Sequence, residues 1–206
     1  VLTSVDDDGV AEVEVVIINA STDGDNITYT IQNPKLTENA TFEDVSLFVD
    51  GNVETGLAIG QPYQGGIIFY LDSTGQHGLI AATADQSDSI QWYNGSYVVT
   101  GATGTSIGTG SANTDAIKSV QGSGSYAASI ARDYNGGGYT DWHLPSKDEL
   151  NQLYENKTAI GGFADDYYWC STESDNDSAW LQSFSNGSQD VDGKYYTGYV
   201  RAVRAF

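Results

Sequence analysis

The side chains able to do chemistry in this chain are few and scattered. His77 and His143 are distant in sequence and lack the paired spacing of metal ligands, so a zinc site is not expected. Cys170 is the single cysteine; with no second thiol there is no intrachain disulfide, and the core must hold through packing or bound ions. Gly104-Thr105-Ser106-Ile107-Gly108 matches the nucleophile-elbow pattern in letters. That elbow works only between a strand and a helix of an α/β sheet, and neither neighbour reads that way in this Gly/Ser/Thr-rich stretch, so coincidence is the better account and no catalysis is expected.

Hard oxygen ligands are the remaining candidates. Asp23-Gly24-Asp25-Asn26, Asp175-Asn176-Asp177 and Asp190-Val191-Asp192 offer carboxylates that Ca²⁺ uses, but none completes a calcium loop and turn-forming Asx residues explain them equally well. A structural Ca²⁺ stays open as the alternative; no other cofactor is expected. The formal net charge of -20 argues against nucleic acid, which needs clustered Lys and Arg to displace counterions, and against anionic membrane surfaces. The acid is uneven, since residues 1–60 hold 12 of the 28 Asp and Glu against Lys35 alone. No apolar run has the length of a membrane span, and the chain begins at Val1 with no targeting segment, which reads as a processed or trimmed piece.

Chemistry therefore gives way to recognition, and the stretch that reads that way is Tyr167 to Phe206. It opens with Tyr167-Tyr168-Trp169-Cys170, runs through Ser-Asp-Asn-Asp-Ser and Asp-Val-Asp-Gly, collects Tyr195, Tyr196 and Tyr199, and closes on Val200-Arg201-Ala202-Val203-Arg204-Ala205-Phe206. Evolved binding loops favour this mixture: Tyr supplies contact area at a cost of two torsions, while Ser, Gly and Asn adapt their hydrogen bonds. The competing account is a polar β-meander whose aromatics brace cross-strand pairs.

The elements that must position this stretch follow from periodicity. With 24 Gly, 14 Tyr and no Met, the composition predicts a loop-rich α+β or β protein. Residues 1–60 read as a small antiparallel β module or arm, with strands at Val13–Ile18, Ile27–Ile31 and Val45–Val49, and turns at Ser21–Asn26 and Asn33-Pro34. Three strands are marginal alone, so the arm is expected to pack on the main domain or to serve oligomerisation with another copy. Residues 61–206 form the main domain, opened by a hairpin of Ile67–Leu71 and Gly78–Ala82 across Asp72-Ser73-Thr74-Gly75. A short strand is expected at Ser89–Tyr93, and helices from Asn113-Thr114-Asp115 to Val120, from Ser125 to Tyr134, and from the capping box of Ser146 and Glu149 to Asn156.

Several separated motifs carry a family likeness. Gly65-Gly66-Ile67-Ile68-Phe69-Tyr70, Ile107 to Thr114, Gly138 to Ser146, Trp169 with Ser171-Thr172-Glu173, and the terminal Val-Arg-Ala-Val-Arg-Ala-Phe occur in order over residues 62–206. Together they resemble the Lcl C-terminal domain family, whose fold is C-type-lectin-like and which occurs in collagen-like bacterial adhesins and in variable proteins of diversity-generating retroelements. The resemblance implies mixed antiparallel sheets with two or three helices, the first and last strands paired, and a non-catalytic ligand-binding role. The related formylglycine-generating enzymes rely on a cysteine pair, which Cys170 does not have. The sugar-binding motifs of calcium-dependent lectins, Glu-Pro-Asn and Trp-Asn-Asp, are also missing.

In the variable proteins, adenine-directed mutagenesis rewrites Asn codons near the carboxyl end, reaching Tyr, Ser, Asp, Gly, Thr, Val, Leu and Cys but never Trp, Gln, Lys or Glu. The resemblance thus implies a variable, ligand-binding set. It comprises Tyr168, Cys170, Ser174, Asp175, Asn176 and Asp177; Leu181, Ser183, Ser185, Asn186 and Ser188; Asp190, Val191, Asp192 and Gly193; and Tyr195, Tyr196, Thr197, Gly198 and Tyr199. Trp169, Glu173, Trp180, Gln182, Gln189 and Lys194 punctuate it as fixed positions. Along the extended Ala179–Ser185, Trp180, Gln182 and Phe184 share a scaffold face and Leu181, Ser183 and Ser185 a display face.

Trp142 and Trp169 are expected in the core, and Arg201 and Arg204 beside carboxylates such as Glu173 or Asp148. His143 is expected to bond within the loop before the capping box. The expected function is a diversified binding protein on a virion or cell surface, meeting a host or environmental protein. The alternative is a fixed-sequence adhesin for glycan, against which the scarcity of basic residues weighs where sulfated glycans are concerned.

Overall fold

The computed structural model describes residues 56–206 throughout and, within residues 1–55, the backbone of five strands. The chain divides into two compact units, Val1–Thr55 and Gly56–Phe206.

In the first unit β1 (Leu2–Asp6), β2 (Gly9–Val13) and β5 (Ser46–Leu47) form one antiparallel sheet in the order β2-β1-β5, and β3 (Val16–Asp23) pairs with β4 (Asn26–Gln32) as a separate hairpin. The strict alternation of Ile27-Thr28-Tyr29-Thr30-Ile31 lies inside β4, as period two predicts. The single strand expected at Val13–Ile18 is instead shared between the end of β2 and the start of β3, which belong to different sheets. Part of Ser21–Asn26, expected to turn, is strand: β3 runs to Asp23, which pairs with Asn26. Asn33-Pro34 and most of Val45–Val49 lie outside the described residues.

The second unit is α+β. Its first sheet holds β6 (Pro62–Tyr63), β7 (Gly66–Leu71), β8 (Gly78–Ala81) and β14 (Val203–Ala205) in the order β14-β8-β7-β6. Between the sheets in sequence come β9 (Ser87–Gln91), α1 (Gly110–Gln121), α2 (Ala127–Asp133), α3 (Lys147–Glu155) and α4 (Lys157–Ile160). The second sheet is completed by β10 (Tyr167–Glu173), β11 (Ser178–Ser183), β12 (Gln189–Gly193) and β13 (Thr197–Val200), in the order β12-β11-β10-β13-β9. All pairs in it are antiparallel except β10 with β13.

The expected direct pairing of Ile67–Leu71 with the terminal strand is not what forms. Both lie in one sheet, but β8 stands between them: Val203, Arg204 and Ala205 pair with Ala81, Ile80 and Leu79, and β8 pairs on its other side with β7. The tight turn explains the order. Asp72 Oδ1 accepts from the Thr74 amide and hydroxyl, so β8 folds straight back onto β7 and occupies the edge that the last strand would otherwise take. The terminal Val-Arg-Ala-Val-Arg-Ala run is also not one strand; Val200 ends β13 in the second sheet and Val203 begins β14 in the first, with Arg201-Ala202 crossing between.

Two clusters of buried side chains fill the unit. One gathers Trp92, Trp142, Trp169, Tyr126 and Ile117, the other Phe69, Leu150, Leu153, Tyr168, Phe184 and Val203. Trp142 and Trp169 are core residues, at 0% and 1% exposure. The capping box forms as its spacing predicts: Ser146 Oγ accepts from Glu149 N, and the Glu149 carboxylate accepts from Ser146 N. Helix α1 starts three residues before the expected Asn113, because Asn113 bonds the Gly104 backbone through both ends of its amide and caps nothing. Gly110 opens that helix, and a Cβ there would lie 2.2 Å from Glu149 Oε2, so only glycine leaves room for the carboxylate.

Candidate functional site

Lys194 and Glu173 carry the arrangement that distinguishes the carboxyl-terminal third. Glu173 ends β10, and its carboxylate accepts from the backbone amides of Thr100 and Gly101 as well as from Lys194 Nζ at 2.6 Å. Lys194 follows β12, and its ammonium also donates to the carbonyls of Val98 and Asn176 and lies over the Trp92 ring at 4.7 Å. One buried ion pair thereby ties three surface segments to the sheet: the stretch before Thr100, the β10–β11 turn at Ser174–Asp177, and the β12–β13 turn. Buried charges persist where their remaining hydrogen-bonding capacity is met, and here backbone groups meet it.

Above this pedestal the side chains face water. Tyr195 and Tyr196 are 46% and 48% exposed and their rings lie 4.0 Å apart. Tyr97, 49% exposed, borders the same hollow of about 500 Å³ together with Asn176, Asp177, Ser178, Asp192 and Gly193. The phenol of its neighbour Tyr196, with the negative field of Asp192, favours the protonated form of Tyr195 and pushes its phenol up to about 12. Asp175 Oδ1 accepts from the amides of Asp177 and Ser178, bonds that make this an Asx turn and hold the Asp175 carboxyl below its ordinary value. Gln91 Nε2 donates to the Tyr195 carbonyl and fixes the tyrosine turn to β9. Tyr97 was not among the residues expected here. Its only signal is a tyrosine just after Asn94-Gly95, a turn no sequence pattern links to residues a hundred positions on.

The implied ligand-binding set divides. Ser174, Asp175, Asn176, Asp177, Val191, Asp192, Tyr195, Tyr196 and Thr197 are exposed, Gly193 is half-buried, and they lie at or near this end of β11 and β12; Asp190, also exposed, pairs with Leu181 farther along, and its carboxylate accepts from the Ser188 hydroxyl of the opposite turn. Ser185, Asn186 and Ser188 are exposed too, but in the β11–β12 turn at the opposite end, separated by the length of β11, about 17 Å at the usual rise per residue. One contiguous patch over the whole set does not form.

Tyr168, Cys170, Leu181, Ser183 and Gly198 are buried and display nothing. Tyr168 packs on Phe184 and Tyr199 and donates from its hydroxyl to Asp85; burial pushes that phenol well up. Tyr199 is half-buried against it, so Tyr168 gathers Tyr199 alone, away from Tyr195 and Tyr196. A Cβ on Gly198 would meet Trp169 Nε1 at 3.0 Å. The division of β11 into display and scaffold faces also fails, because β11 is flanked by β10 and β12 and covered on both sides. Leu181 joins the tryptophan cluster, Ser183 is 3% exposed, and Gln182 is bonded to Asn151. Trp180 is only partly buried, with Lys147 Nζ 3.3 Å from its ring centroid.

The two terminal arginines find partners other than those expected. Glu173 is taken by Lys194; Arg201 Nε pairs with Asp85 at 2.6 Å, Arg201 also donates to the carbonyls of Ala82 and Gly162, and Arg204 pairs with Asp141. Their guanidiniums lie over Phe163 and Tyr139. His143 Nδ1 faces the Asp141 carbonyl at 3.4 Å, within its own loop, while Nε2 lies 3.5 Å from Glu149 Oε2.

Among the described residues no group of three or more His, Cys, Asp or Glu is placed to hold a metal, and Asp25 of the first acidic run lies outside them. Ser106 of the elbow-like stretch precedes α1 in a loop with no strand before it, and its carbonyl accepts from Ser146 and Thr109. No helix among the described residues is long and apolar enough to cross a membrane. The Lcl C-terminal domain family model matches residues 81–204, which takes in β9, helices α1 to α4, strands β10 to β13 and the first two residues of β14. No curated protein matches the chain.

Proposed function

We propose that this chain, which belongs to the Lcl C-terminal domain family, is a non-catalytic binding protein that presents its carboxyl-terminal turns to a ligand outside the cell or virion. The family suggests a ligand- or surface-binding domain. The observation that carries the reading is the exposed Tyr97, Tyr195 and Tyr196 around one hollow, raised on a buried ion pair that holds the turns without using any of their exposed side chains. Exposed aromatics on a rigid base are the usual anchors of recognition, and large exposed apolar area has no role in folding. In its finer form the reading is a retroelement variable protein, in which the rewritten codons are those of Ser174–Asp177, Ser185, Asn186, Ser188, Asp190–Gly193 and Tyr195–Thr197.

A specific observation favours a second reading, a fixed-sequence glycan-binding adhesin: five codons of the implied variable set encode buried residues. Random change there typically costs kilocalories. Sequencing the gene from independent isolates, with its flanks, decides between them. A neighbouring reverse transcriptase, a near-copy of the final codons, and substitutions at adenines confined to the exposed positions are expected. Invariant codons with no near-copy overturn the variable reading and leave the adhesin.

A further inference from the structure

The tyrosine hollow carries a charge pattern that narrows its ligand. Asp177 and Asp192 both line it, and among the described residues neither is within ion-pair reach of a cation. Asp175, exposed in the Asx turn beside them, has none either. The basic residues explain why. Each Lys and Arg of residues 56–206 is engaged elsewhere, Lys147 on the Trp180 ring and the other six on a carboxylate. Lys194, the one beside the hollow in sequence, points inward with its side chain 0% exposed.

Resting on the reading of this face as a binding surface, we propose that the hollow receives arginine or lysine side chains of a basic partner protein. Asp177 and Asp192 supply the charge, and the rings of Tyr97, Tyr195 and Tyr196 supply the faces on which the cation lies. Two features make the chemistry specific. A planar guanidinium stacks on tyrosine while its N–H fork meets a carboxylate, a combination that a neutral sugar does not reproduce. An acidic face also repels sulfated or phosphorylated ligands, whereas a basic protein is drawn to a chain of net charge -20 before contact.

The test titrates the full chain with a synthetic Gly/Ser peptide bearing two arginines, with the same peptide carrying citrulline, which keeps the shape and removes the charge, and with a panel of neutral oligosaccharides. Calorimetry reads the affinities. The arginine peptide is expected to bind at least about tenfold tighter than the citrulline peptide, the size of one desolvated cation–aromatic contact. Asp177→Asn with Asp192→Asn is expected to abolish that preference. Asp88→Asn with Asp148→Asn, which removes the same charge from exposed positions elsewhere, is expected to leave it intact.

Equal losses in the two double variants would mean that net charge alone attracts the peptide, and the proposal falls. If the citrulline peptide or an oligosaccharide binds and Tyr195→Ala with Tyr196→Ala removes that binding, the face is a binding surface but its ligand is not basic. An arginine preference that survives both the aspartate and the tyrosine changes overturns the proposal and the binding face together.

Discussion

Lys194 Nζ sits 2.6 Å from Glu173 Oε1 with the two side chains 0% and 1% exposed, and this pair connects the end of β10 to the start of the tyrosine turn. The binding turns therefore take their position from charges they do not expose.

Removing either partner should be severe. Lys194→Met or Glu173→Gln is expected to cost about 3–5 kcal/mol, because each leaves an uncompensated buried charge. Replacing both with apolar residues should recover only part of it, since the Thr100 and Gly101 amides still lose their acceptor. Denaturant melts of the three variants check this; a fully restored double variant would show that the amides find other partners.

Arg201 and Arg204 should differ. Arg201 is fully enclosed and paired with Asp85, so Arg201→Ala is expected to cost about 3–5 kcal/mol. Arg204 pairs with Asp141, whose side chain is 59% exposed, so water screens that pair and Arg204→Ala should cost about 1–2 kcal/mol. Tyr196→Ala, on the exposed turn, should cost under about 0.5 kcal/mol. Equal melting losses for Tyr196 and Arg201 would contradict the separation of scaffold from face.

Acid should loosen the loop before α3 through Glu149. Burial acts to raise this carboxyl, but the hydrogen bond and charge of His143 and the amides of Ser146 and Gly108 outweigh it and hold it below its ordinary value. A carboxyl depressed in the folded state contributes stability that is present above its unfolded value, about 4.3, and is lost as pH falls through the lower folded one. Glu149→Gln should lower stability at neutral pH and flatten the decline below about pH 4.3. Melting curves from pH 3 to pH 7 read both effects.

Cys170 should be silent in the native protein. Burial pushes its thiol up to about 12, and it is 1% exposed. Since the thiolate is the reactive form, a chromogenic disulfide reagent at pH 8 is expected to label it only as fast as the unit unfolds. Rapid native labelling would place Cys170 on the surface, where the variable reading expected it.

Much of the fold was legible because local signals agreed with tertiary ones. The alternation around Ile27–Ile31, the turn at Asp72–Gly75 and the capping box at Ser146 are each written in a few neighbouring residues. What was not legible depends on partners chosen across the chain. Period two placed Leu181 and Ser183 on one face of β11 correctly, yet cannot say that both faces of an inner strand are covered. The codon logic named Lys194 as fixed but gave no hint that it is buried, nor that it would take Glu173 from the arginines. Tyr97 joins Tyr195 and Tyr196 because β9 pairs with β13 and Lys194 holds the neighbouring Val98 carbonyl.

That pairing also orders how the unit is made. Strand β13 lies inside the second sheet, between β10 and β9, and the bond from Gln91 to Tyr195 spans 104 residues. Contacts of such separation close large loops before they return any stabilisation, so the sheet assembles slowly for its size. Strand β9 has β13 as its one neighbour in that sheet, so it stays unpaired until residues 197–200 are made, and β10 lacks its neighbour on that side until then. A nascent unit lacking β13 has no smaller sheet to settle into on that side, and its exposed edges are the ones a chaperone would need to shield.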